Sequence, residues 1–416
     1  MIKLNCLILI TSSYPFLTQE PFLESEMPYV KTAFDKIITL AIDTGKGAPK
    51  MRATPENADC YNVASTGKTV SRYMSKAKGV INYVKGSEYY DVDTEADTPQ
   101  KKLFLEYFCA RADREFKLCM DKLKSCDFSQ YDSVTVYSYW FFVAAMIGTK
   151  IRDEIKKQCR RVKLVSRAHR YEIYEQFNPL GYLPMRAYLL NKFDAVYACS
   201  EDGKQHIAEK YPVFAHKVHR SYLGTIDNGV CNSDGSSLHI VSCSHVIDVK
   251  RVNRLANALS LLKDKGFDVK WTHIGDGALM PEIKKTVEEK LGFMEVDLKG
   301  SMSNTDVFKF YRKTPVDLFV NVSSSEGLPV SIMEAISFGI PVIATDVGGT
   351  REIVRTSFNG RLIPSDFSDS DLAFEISKFN SLSSEEKQKL RKNARSYWEE
   401  NFNAEKNYSE FVKNII

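Results

Sequence analysis

The sequence predicts an α/β protein built from two doubly wound domains, each a parallel sheet covered by helices. Short apolar runs alternate with helical stretches along the whole chain, which is typical of βαβ units. The 416 residues are too many for one ordinary core and suffice for two domains of roughly 200 residues each. An apolar fraction of 44% and a charged fraction of 26% indicate a folded globular protein.

In the first half, apolar runs predict five strands separated by helices. The strands are expected at 4–10, 37–42, 133–137, 162–166 and 195–199. The helices are expected near 22–34, 101–124, 138–148 and 182–192, and from the cap cluster at Ser200 onward. The first run is too short for a signal sequence and lacks a cleavage site, so we predict a buried strand. Residues 44–100 resemble an irregular polar insertion without an assigned role.

The second half repeats the alternation more regularly. Strands are expected at 238–243, 269–275, 296–300, 317–321 and 341–345. Helices are expected at 251–264, 279–290, 304–313 and 329–338, followed by a charged helical end from 384 to 416. The stretch 225–237 is rich in Gly, Asn, Ser and Asp, which marks a domain boundary. We therefore predict domains at 1–228 and 229–395, and a terminal helix, 396–416, that packs back toward the first.

Charge and cysteine content restrict the function classes. Residues 1–225 carry 33 Lys and Arg against 26 Asp and Glu, whereas the remainder carries 24 against 27. A basic first domain would suit an anionic membrane or a phosphate-bearing acceptor, and an ordinary solvated surface explains it equally well. Nine scattered cysteines without a C-x-x-C pair indicate a reducing compartment, so we expect a cytoplasmic protein, at the inner face of the membrane if it contacts lipid. The sequence contains no dense basic stripe with interleaved aromatic residues, so nucleic-acid binding is not predicted.

The chemistry is expected just after the strands, because ligands of open parallel sheets bind at the carboxyl ends of strands. After the strand at 317–321 comes Ser323-Ser324-Ser325-Glu326-Gly327-Leu328-Pro329, and then a helix. Free amides and the dipole of that first turn suit a diphosphate. Glu326 and Glu334 are eight residues apart, close to two turns if helical. Taken alone, this spacing favours an amphipathic helix with two surface glutamates.

The surrounding sequence resembles the family 4 glycosyltransferases of the GT-B fold. The run VDLFVNVSSSEGLPVSIMEAISFGIPVIATDVGGTREIV (316–354) is very similar to the donor-site motif of that family. The resemblance extends through HIVSCSHVIDVKRVNRLANAL (239–259) and HIGDGALMPEI (273–283). In the first half, SRAHRYEIYE (166–175) and the SYP…EPFLESEM region (13–27) resemble the bacterial polysaccharide-assembly branch. The resemblance implies two Rossmann-like domains facing a central cleft.

The resemblance also implies roles for individual residues. Glu326 would lie near the transferred sugar, Lys250 would neutralise the leaving diphosphate, and His169 would reach the donor sugar or the acceptor. The donor-binding residues would be Glu334, which holds the ribose, together with Arg251, Gly327, Leu328, Gly275, Asp276, Gly277, Gly300, Ser301 and His245.

Two departures from the family pattern concern phosphate binding. His245 stands where the family usually has an arginine, and adjacent Arg251 offers an alternative charge. Many relatives also carry a Gly-Gly loop after the first strand. This chain has Ser12-Ser13-Tyr14-Pro15 there, so we expect the acceptor side to be built differently.

The resemblance implies a retaining hexosyltransferase that uses a nucleotide diphosphate sugar as substrate and needs neither cofactor nor metal. We expect transfer of a hexose or N-acetylhexosamine, from UDP rather than GDP, to a glycan or lipid-linked acceptor in cell-surface polysaccharide synthesis. No Asp-x-Asp lies at a strand end to suggest a metal. The alternatives are a non-catalytic nucleotide-sugar-binding protein and a GT-B phosphorylase or glucan synthase. The absence of a G-x-G-x-x-G after an early strand argues against a dinucleotide-binding protein.

Overall fold

The computed structural model describes residues 4–17, 20–178, 180–233 and 237–416. Two compact units are present: unit 1 is Met1–Leu223 with Glu405–Ile416, and unit 2 is Gly224–Ala404. Residues 18–19 of the predicted 13–27 region and 234–236 of the predicted boundary stretch lie outside the described residues. Each unit holds one parallel sheet with helices, so the predicted fold class is confirmed.

Unit 1 is organised around a seven-stranded sheet. Its strands are β1 (Asn5–Thr11), β2 (Lys36–Ala41), β3 (Ala58–Asn62), β4 (Ser133–Ser138), β5 (Val162–Ala168), β6 (Ala195–Ala198) and β7 (Val218–Arg220). The order is β3-β2-β1-β4-β5-β6-β7, and all neighbouring strands are parallel. Central β1 reads NCLILIT and is buried from Cys6 to Thr11. Such near-continuous apolar strands are expected where both faces of a parallel sheet are covered.

The helices of unit 1 connect successive strands. They are α1 (Phe22–Ala33), α2 (Lys68–Lys85), α3 (Tyr89–Val92), α4 (Pro99–Leu123), α5 (Val143–Ile155), α6 (Arg186–Lys192) and α7 (Glu201–Lys210), with 3-10 turns at Glu175–Phe177 and Pro212–Lys217. The Ser200 side chain accepts from the amide of Gly203 and caps α7, as the sequence predicts.

The stretch expected to be irregular, 44–100, contains a strand and a long helix, so that prediction is wrong. Strand β3 lies at the edge of the sheet and reads ADCYN, without the apolar run of a central strand. Helix α2 buries only Ser75 and Gly79 along its 18 residues. Its apolar residues, from Val70 to Val84, repeat at helical spacing, so the signal for a helix was present in the sequence, although these residues lie on the exposed side.

Unit 2 repeats the architecture with six strands. They are β8 (Leu238–Cys243), β9 (Val269–Ile274), β10 (Glu295–Gly300), β11 (Leu318–Asn321), β12 (Val342–Thr345) and β13 (Gly360–Ile363). The sheet order is β10-β9-β8-β11-β12-β13, again entirely parallel. Its helices are α8 (Val252–Ser260), α9 (Met280–Lys290), α10 (Asn304–Lys313), α11 (Val330–Ser337), α12 (Thr350–Ile353), α13 (Asp369–Asn380) and α14 (Ser384–Asn401), with a 3-10 turn at Asp248–Lys250.

The chain returns to unit 1 through a last helix, α15 (Ala404–Ile415). The helical end predicted as continuous from 384 is interrupted at Phe402 and Asn403, where Asn403 forms a parallel bridge with Thr225. In unit 1, the Phe411 ring lies 3.9 Å from the Arg167 guanidinium, and the Ile415 carbonyl accepts from Thr135 Oγ1 at 2.8 Å. These contacts place α15 in the core of unit 1.

The buried polar centre beneath α15 is an ion pair. Arg167 Nε lies 3.0 Å from Glu26 Oε2, and both side chains are fully buried. The Tyr137 hydroxyl donates to the same carboxylate at 2.9 Å. Removing either charge from such a pair leaves the other buried and uncompensated, which is strongly destabilising.

None of the helices in the described ranges combines the length and apolar character that crossing a bilayer requires.

Candidate functional site

The loop that follows β11 holds the residues singled out in the sequence. Strand β11 ends at Asn321, and α11 starts at Val330 with Pro329 as its cap. Glu326 therefore lies in the loop, outside the helix, whereas Glu334 lies within α11. The two glutamates do not follow one helical face, because Gly327 to Pro329 separate Glu326 from the first turn.

Glu326 forms an ion pair with Lys250 across two neighbouring loops. Lys250 Nζ lies 2.7 Å from Glu326 Oε1, and Asn321 Nδ2 donates to the same oxygen at 3.3 Å. The Ser324 amide donates to the Val249 carbonyl at 2.8 Å, which joins the loops after β8 and β11. The Lys250 side chain is 23% exposed and that of Glu326 10% exposed, so the ammonium group is the more open of the two. The structure thus brings together two of the predicted catalytic residues.

Arg251 holds these loops in place through main-chain contacts. Its guanidinium donates to the carbonyl oxygens of Val322 at 2.7 Å, Ser323 at 3.1 Å and Ser365 at 2.7 Å. Partial burial lowers the pKa of this guanidinium from its ordinary value. Because every guanidinium nitrogen already has an acceptor, Arg251 orders the loop between β11 and α11. His245, which stands where the resemblance implies an arginine, is exposed.

Glu334 lies in a different environment from Glu326. It is 9% exposed, and no described residue donates a hydrogen bond to its carboxyl group. Burial raises the pKa of Glu334 to about 8. The Cys243 thiol and the Tyr311 hydroxyl couple electrostatically to this carboxyl group, and burial raises the pKa of both, that of Cys243 to about 12. Among the residues described, Glu334 is therefore a buried acid without a hydrogen-bond donor.

Gly348 and Gly349, which the sequence reasoning did not single out, support the loop that carries Glu326. Gly348 has a φ of 51°, and a Cβ there would lie 2.1 Å from the Glu326 carbonyl oxygen. The Gly349 amide donates to the Gly327 carbonyl at 2.8 Å. The consecutive glycines after a predicted strand were the available signal, because such pairs mark close backbone approach.

The predicted glycine turns lie at the carboxyl ends of β9 and β10. A Cβ on Gly275, whose φ is 139°, would lie 1.8 Å from the Ser244 carbonyl oxygen, and one on Gly277 would lie 2.4 Å from that of Val246. The Gly275 amide donates to the Gly300 carbonyl oxygen at 2.8 Å, and Gly300 has a φ of 68°. Backbone crowding thus accounts for glycine at 275 and 277.

The remaining predicted donor-site residues differ in exposure. Leu328 is 8% exposed. Ser301 is exposed, and the Asp276 carboxylate accepts from the Gly277 amide at 2.7 Å.

In unit 1, His169 directly follows β5 and is buried. Its Nδ1 lies 2.9 Å from Glu172 Oε1, and the same oxygen accepts from the His169 amide at 2.9 Å. Within the described ranges, Nε2 has no hydrogen-bond partner. The rings of Tyr139 and Trp140 lie 5.0 Å and 4.5 Å from the imidazole. A carboxylate on Nδ1 fixes the ring and leaves Nε2 available for a ligand hydroxyl.

The loop after β1, which lacks the Gly-Gly pair that the resemblance implies, binds a carboxylate of the chain itself. Glu20 accepts from the amides of Ser12 at 2.9 Å, Ser13 at 2.7 Å and Tyr14 at 2.6 Å. The Trp140 indole donates to the same carboxylate at 2.5 Å. Successive amides of this kind form an anion-binding nest. Sequence reasoning missed Glu20, because nothing in the pattern links it to amides six to eight residues earlier.

The match to a known protein family lies in unit 2. Residues 230–397 match the family model described as Glycosyl transferases group 1. The O-antigen biosynthesis glycosyltransferase WbnH of Escherichia coli is 25% identical over 235 residues, which are 55% of this chain and 61% of WbnH. The amylovoran biosynthesis glycosyltransferase AmsK of Erwinia amylovora is 26% identical over 133 residues, 30% of this chain and 32% of AmsK. The chain spans about half the length of the curated relatives it matches.

The fold is shared along nearly the whole chain. The crystal structure of Anabaena Alr3699/HepE in complex with UDP and glucose covers 99% of this chain and matches over 99% of its own length, with a TM-score of 0.63 and 15% sequence identity. Together with the family match, this confirms the resemblance that the motifs predict. The chain has the GT-B fold, and its residues 230–397 match the model of the Glycosyl transferases group 1 family.

Proposed function

We propose that this protein is a retaining glycosyltransferase that transfers a hexose or N-acetylhexosamine from a UDP-sugar to a glycan acceptor in cell-surface polysaccharide synthesis. The Lys250–Glu326 ion pair beside the start of α11 is the observation that carries this proposal. The names of WbnH and AmsK support the pathway, and the UDP and glucose bound to HepE support the donor class. A lipid-linked acceptor is the form we favour, because the first half of the chain is basic.

Lys250 is proposed to receive the leaving diphosphate. Its ammonium group is already held at 2.7 Å from Glu326 and is the more exposed member of the pair, so an anion can approach it. The start of α11 adds the partial positive charge of a helix amino terminus. Charge placed in advance where the phosphate departs is an effective way to stabilise the transition state. We propose that these groups suffice without a metal ion.

Glu334 is proposed to hold the ribose of the donor. A carboxylate that accepts from two neighbouring hydroxyls is well suited to a ribose diol. The carboxyl group is buried and has no donor among the described residues, so two ligand hydroxyls would meet an unsatisfied acceptor. Binding would then favour the ionised form of Glu334.

The anion-binding nest in unit 1 is proposed to hold the Glu20 carboxylate in place and not to bind the phosphates of the donor. Glu20 already occupies the amides of Ser12, Ser13 and Tyr14, so the negative charge of a donor would be repelled there. His169, fixed by Glu172 and by Trp140, is proposed to contact a hydroxyl of the acceptor or of the transferred sugar through Nε2. Neutralisation of the diphosphate would fall to unit 2.

The proposed reaction proceeds on the front face of the sugar. The bond from the anomeric carbon to the diphosphate oxygen breaks, and the acceptor oxygen attaches from the same side, so the configuration is retained. The departing phosphate oxygen takes the acceptor proton. Glu326 stabilises and positions the sugar and is not assigned as a nucleophile.

A thermal shift screen against nucleotide diphosphates and sugar donors tests the donor assignment, because ligand binding alone stabilises the fold. We expect UDP and UDP-sugars to raise the melting temperature more than GDP or GDP-mannose. Transfer assays with the preferred donor should show a product anomer matching the donor by NMR, with activity unchanged by EDTA. Donor binding without transfer or donor hydrolysis would favour a binding protein, and consumption of free phosphate would favour a phosphorylase.

Substitutions in the ion pair test the site. Glu326→Gln and Lys250→Ala should each reduce turnover by at least about tenfold, because each removes charge from the reacting region. Lys270→Ala is the matched control, because Lys270 also pairs with a glutamate, at 2.6 Å, and is 29% exposed. Equal losses in the control and in Lys250→Ala would contradict the assignment.

A further inference from the structure

Helix α2 contacts the rest of unit 1 through one narrow face of small residues. Ser75 and Gly79 are its only buried positions. A Cβ on Gly79 would lie 2.8 Å from the Tyr107 amide nitrogen of α4, so the two helix backbones are in close contact there. This contact fixes which side of α2 faces the protein and which side faces away.

The opposite side of α2 is an exposed apolar stripe. Its members lie about half a turn around the helix from Ser75 and Gly79, at a spacing that keeps them on one face. We call this set the outer face of α2: Val70, Tyr73, Met74, Ala77, Val80, Ile81 and Val84. Tyr73 is 73% exposed and Val84 is 78% exposed, and the other large members are exposed by about half. Contiguous exposed apolar patches on a protein surface mark sites of interaction.

Basic residues border this stripe, and acidic residues are absent from the helix sequence. Of its five cationic side chains, Lys68 and Arg72 pair with Asp43 of unit 1, at 2.9 Å and 2.8 Å. Lys76, Lys78 and Lys85 make no ion pair with any residue the structure describes. At 100° per residue, Lys76 lies on one border of the outer face, and Lys78 and Lys85 lie on the other.

We propose that the outer face of α2 docks unit 1 on an anionic lipid bilayer. An apolar stripe with lysines along both borders is the arrangement of helices that lie in the plane of a membrane surface. Val70, Tyr73, Val80 and Val84 would enter the boundary of the acyl chains, and the three unpaired lysines would meet lipid phosphates. The inference does not depend on the identity of the donor or on transfer activity.

The same charges disfavour a second copy of this chain as the occupant. A symmetric dimer brings the same patch of both subunits together. Two outer faces in contact would place the lysine borders side by side without carboxylates from α2 to offset them. The bilayer offers both an apolar interior and negative charge.

Vesicle co-sedimentation of the full chain tests the proposal. Wild-type protein should bind phosphatidylcholine vesicles that contain phosphatidylglycerol, and should bind pure phosphatidylcholine vesicles less. The double variant Tyr73→Glu/Val84→Glu should weaken binding by about tenfold or more, because two charges would enter the apolar layer. Val213→Glu/Phe374→Glu is the matched control, since these side chains are 76% and 64% exposed but lie outside α2.

A second variant keeps the apolar stripe and removes its charged borders. Lys76→Gln/Lys78→Gln/Lys85→Gln should lower binding to anionic vesicles by about tenfold and reduce its dependence on salt. Circular dichroism and melting temperature should be unchanged in both α2 variants. Equal binding by wild type and the α2 variants would overturn the proposal. So would a wild-type dimer in sedimentation velocity that the Tyr73→Glu/Val84→Glu variant abolishes while vesicle binding is absent.

Discussion

At the scale of single residues, two glutamates of one motif have been placed in opposite electrostatic settings. Glu326 has a cation at 2.7 Å and an amide donor from Asn321. In the part of the chain that the structure describes, Glu334 has neither a cation nor an amide donor, and burial raises its pKa to about 8. The protein itself therefore compensates the negative charge of Glu326. The negative charge of Glu334 would instead be stabilised by hydroxyl donors from a ligand. Because of this difference, we expect ligand binding to depend on pH through Glu334.

We predict that UDP binds more tightly as the pH rises toward 8. If the ribose hydroxyls bind the ionised form of Glu334, binding must remove a proton below its pKa of about 8. Affinity should then fall by up to about tenfold for each pH unit below that value and level off above it. Titration calorimetry at several pH values, in buffers of different ionisation enthalpy, measures both the affinity and the released proton.

Glu334→Gln serves as the control for this titration, because it keeps the shape of the side chain and removes the ionisation. The variant should bind UDP more weakly at pH 8, with little dependence on pH. Cys243 and Tyr311, which couple to Glu334, stay protonated in this range because burial raises the pKa of each. An unchanged pH profile in Glu334→Gln would remove the ribose assignment.

Stability without ligand should show the opposite trend. The folded-state pKa of Glu334 lies above its ordinary value of 4.5, so the folded protein holds a proton that the unfolded chain releases. The stability from this residue is complete below pH 4.5 and is lost as the pH rises toward 8, by up to about 1.4 kcal/mol per pH unit. In Glu334→Gln, the melting temperature should therefore depend less on pH between 4.5 and 8 than it does in the wild type.

At the scale of elements, the site depends on the way neighbouring loops share their backbones. The loop after β12 contacts the loop after β11 through Gly348 and Gly349, and the loop after β8 contacts it through Val249. Backbone hydrogen bonds thus join the loops after β8, β11 and β12. Glu326 is positioned by contacts to its own carbonyl group and to that of Gly327 as much as by its side chain.

Gly348→Ala should therefore impair activity without unfolding the protein. A Cβ would lie 2.1 Å from the Glu326 carbonyl oxygen, so the loop that carries Glu326 must shift. We expect a loss of at least about tenfold in kcat/KM, since misplacement by about 1 Å near the reacting atoms has effects of this size. Assays with the preferred donor measure it.

Gly266→Ala separates that effect from backbone strain. Gly266 also has a positive φ, of 75°, but a Cβ there would meet nothing within 4 Å. It should cost about 1–2 kcal/mol of stability and leave turnover near wild type. Similar kinetic losses in the two variants would show that the contact with Glu326 is unimportant.

The elements also show how far the sequence predicts the structure. Central strands such as β1 and β11 were predicted because both of their faces are buried and their residues are apolar. Strand β3 was missed because it lies at a sheet edge and has no apolar run. Helix α2 was missed although its apolar residues repeat at helical spacing, because the stretch was interpreted as an irregular insertion. The family resemblance implied that Lys250 and Glu326 belong to one site, but it did not predict their ion pair. Glu20 was missed because no sequence pattern links it to the amides of residues 12–14, or to Trp140, which is 120 residues away.

At the scale of the whole molecule, unit 1 is completed by residues that follow unit 2 in the sequence. Helix α15 covers the buried Arg167–Glu26 pair, with the Phe411 ring 3.9 Å from the guanidinium and 5.3 Å from the Tyr137 ring. The sequence analysis predicts a terminal helix that packs back toward the first domain, but the sequence contains no signal that it covers the Arg167–Glu26 pair. The ion pair joins positions 141 residues apart, so its burial follows from the fold.

Phe411→Ala should destabilise unit 1 by about 3–5 kcal/mol, which is the usual cost of removing a fully packed phenyl ring. Phe411 is 1% exposed, and its loss would also open a cavity beside a buried charge. Hydrogen exchange read by mass spectrometry should show faster exchange in β4 and β5 than in β11 and β12. Phe374→Ala, at a position 64% exposed, should change neither the stability of unit 1 nor the hydrogen exchange of β4 and β5. Uniform loss of protection in both units would contradict this assignment.

The return of the chain to unit 1 also bears on its synthesis. Residues 224–404 form one continuous unit, so a nascent chain can fold unit 2 as soon as that segment has left the ribosome. Unit 1 cannot bury Arg167 and Glu26 until α15, Ala404–Ile415, has emerged as well. The half of the protein that is translated first is therefore the half that finishes folding last.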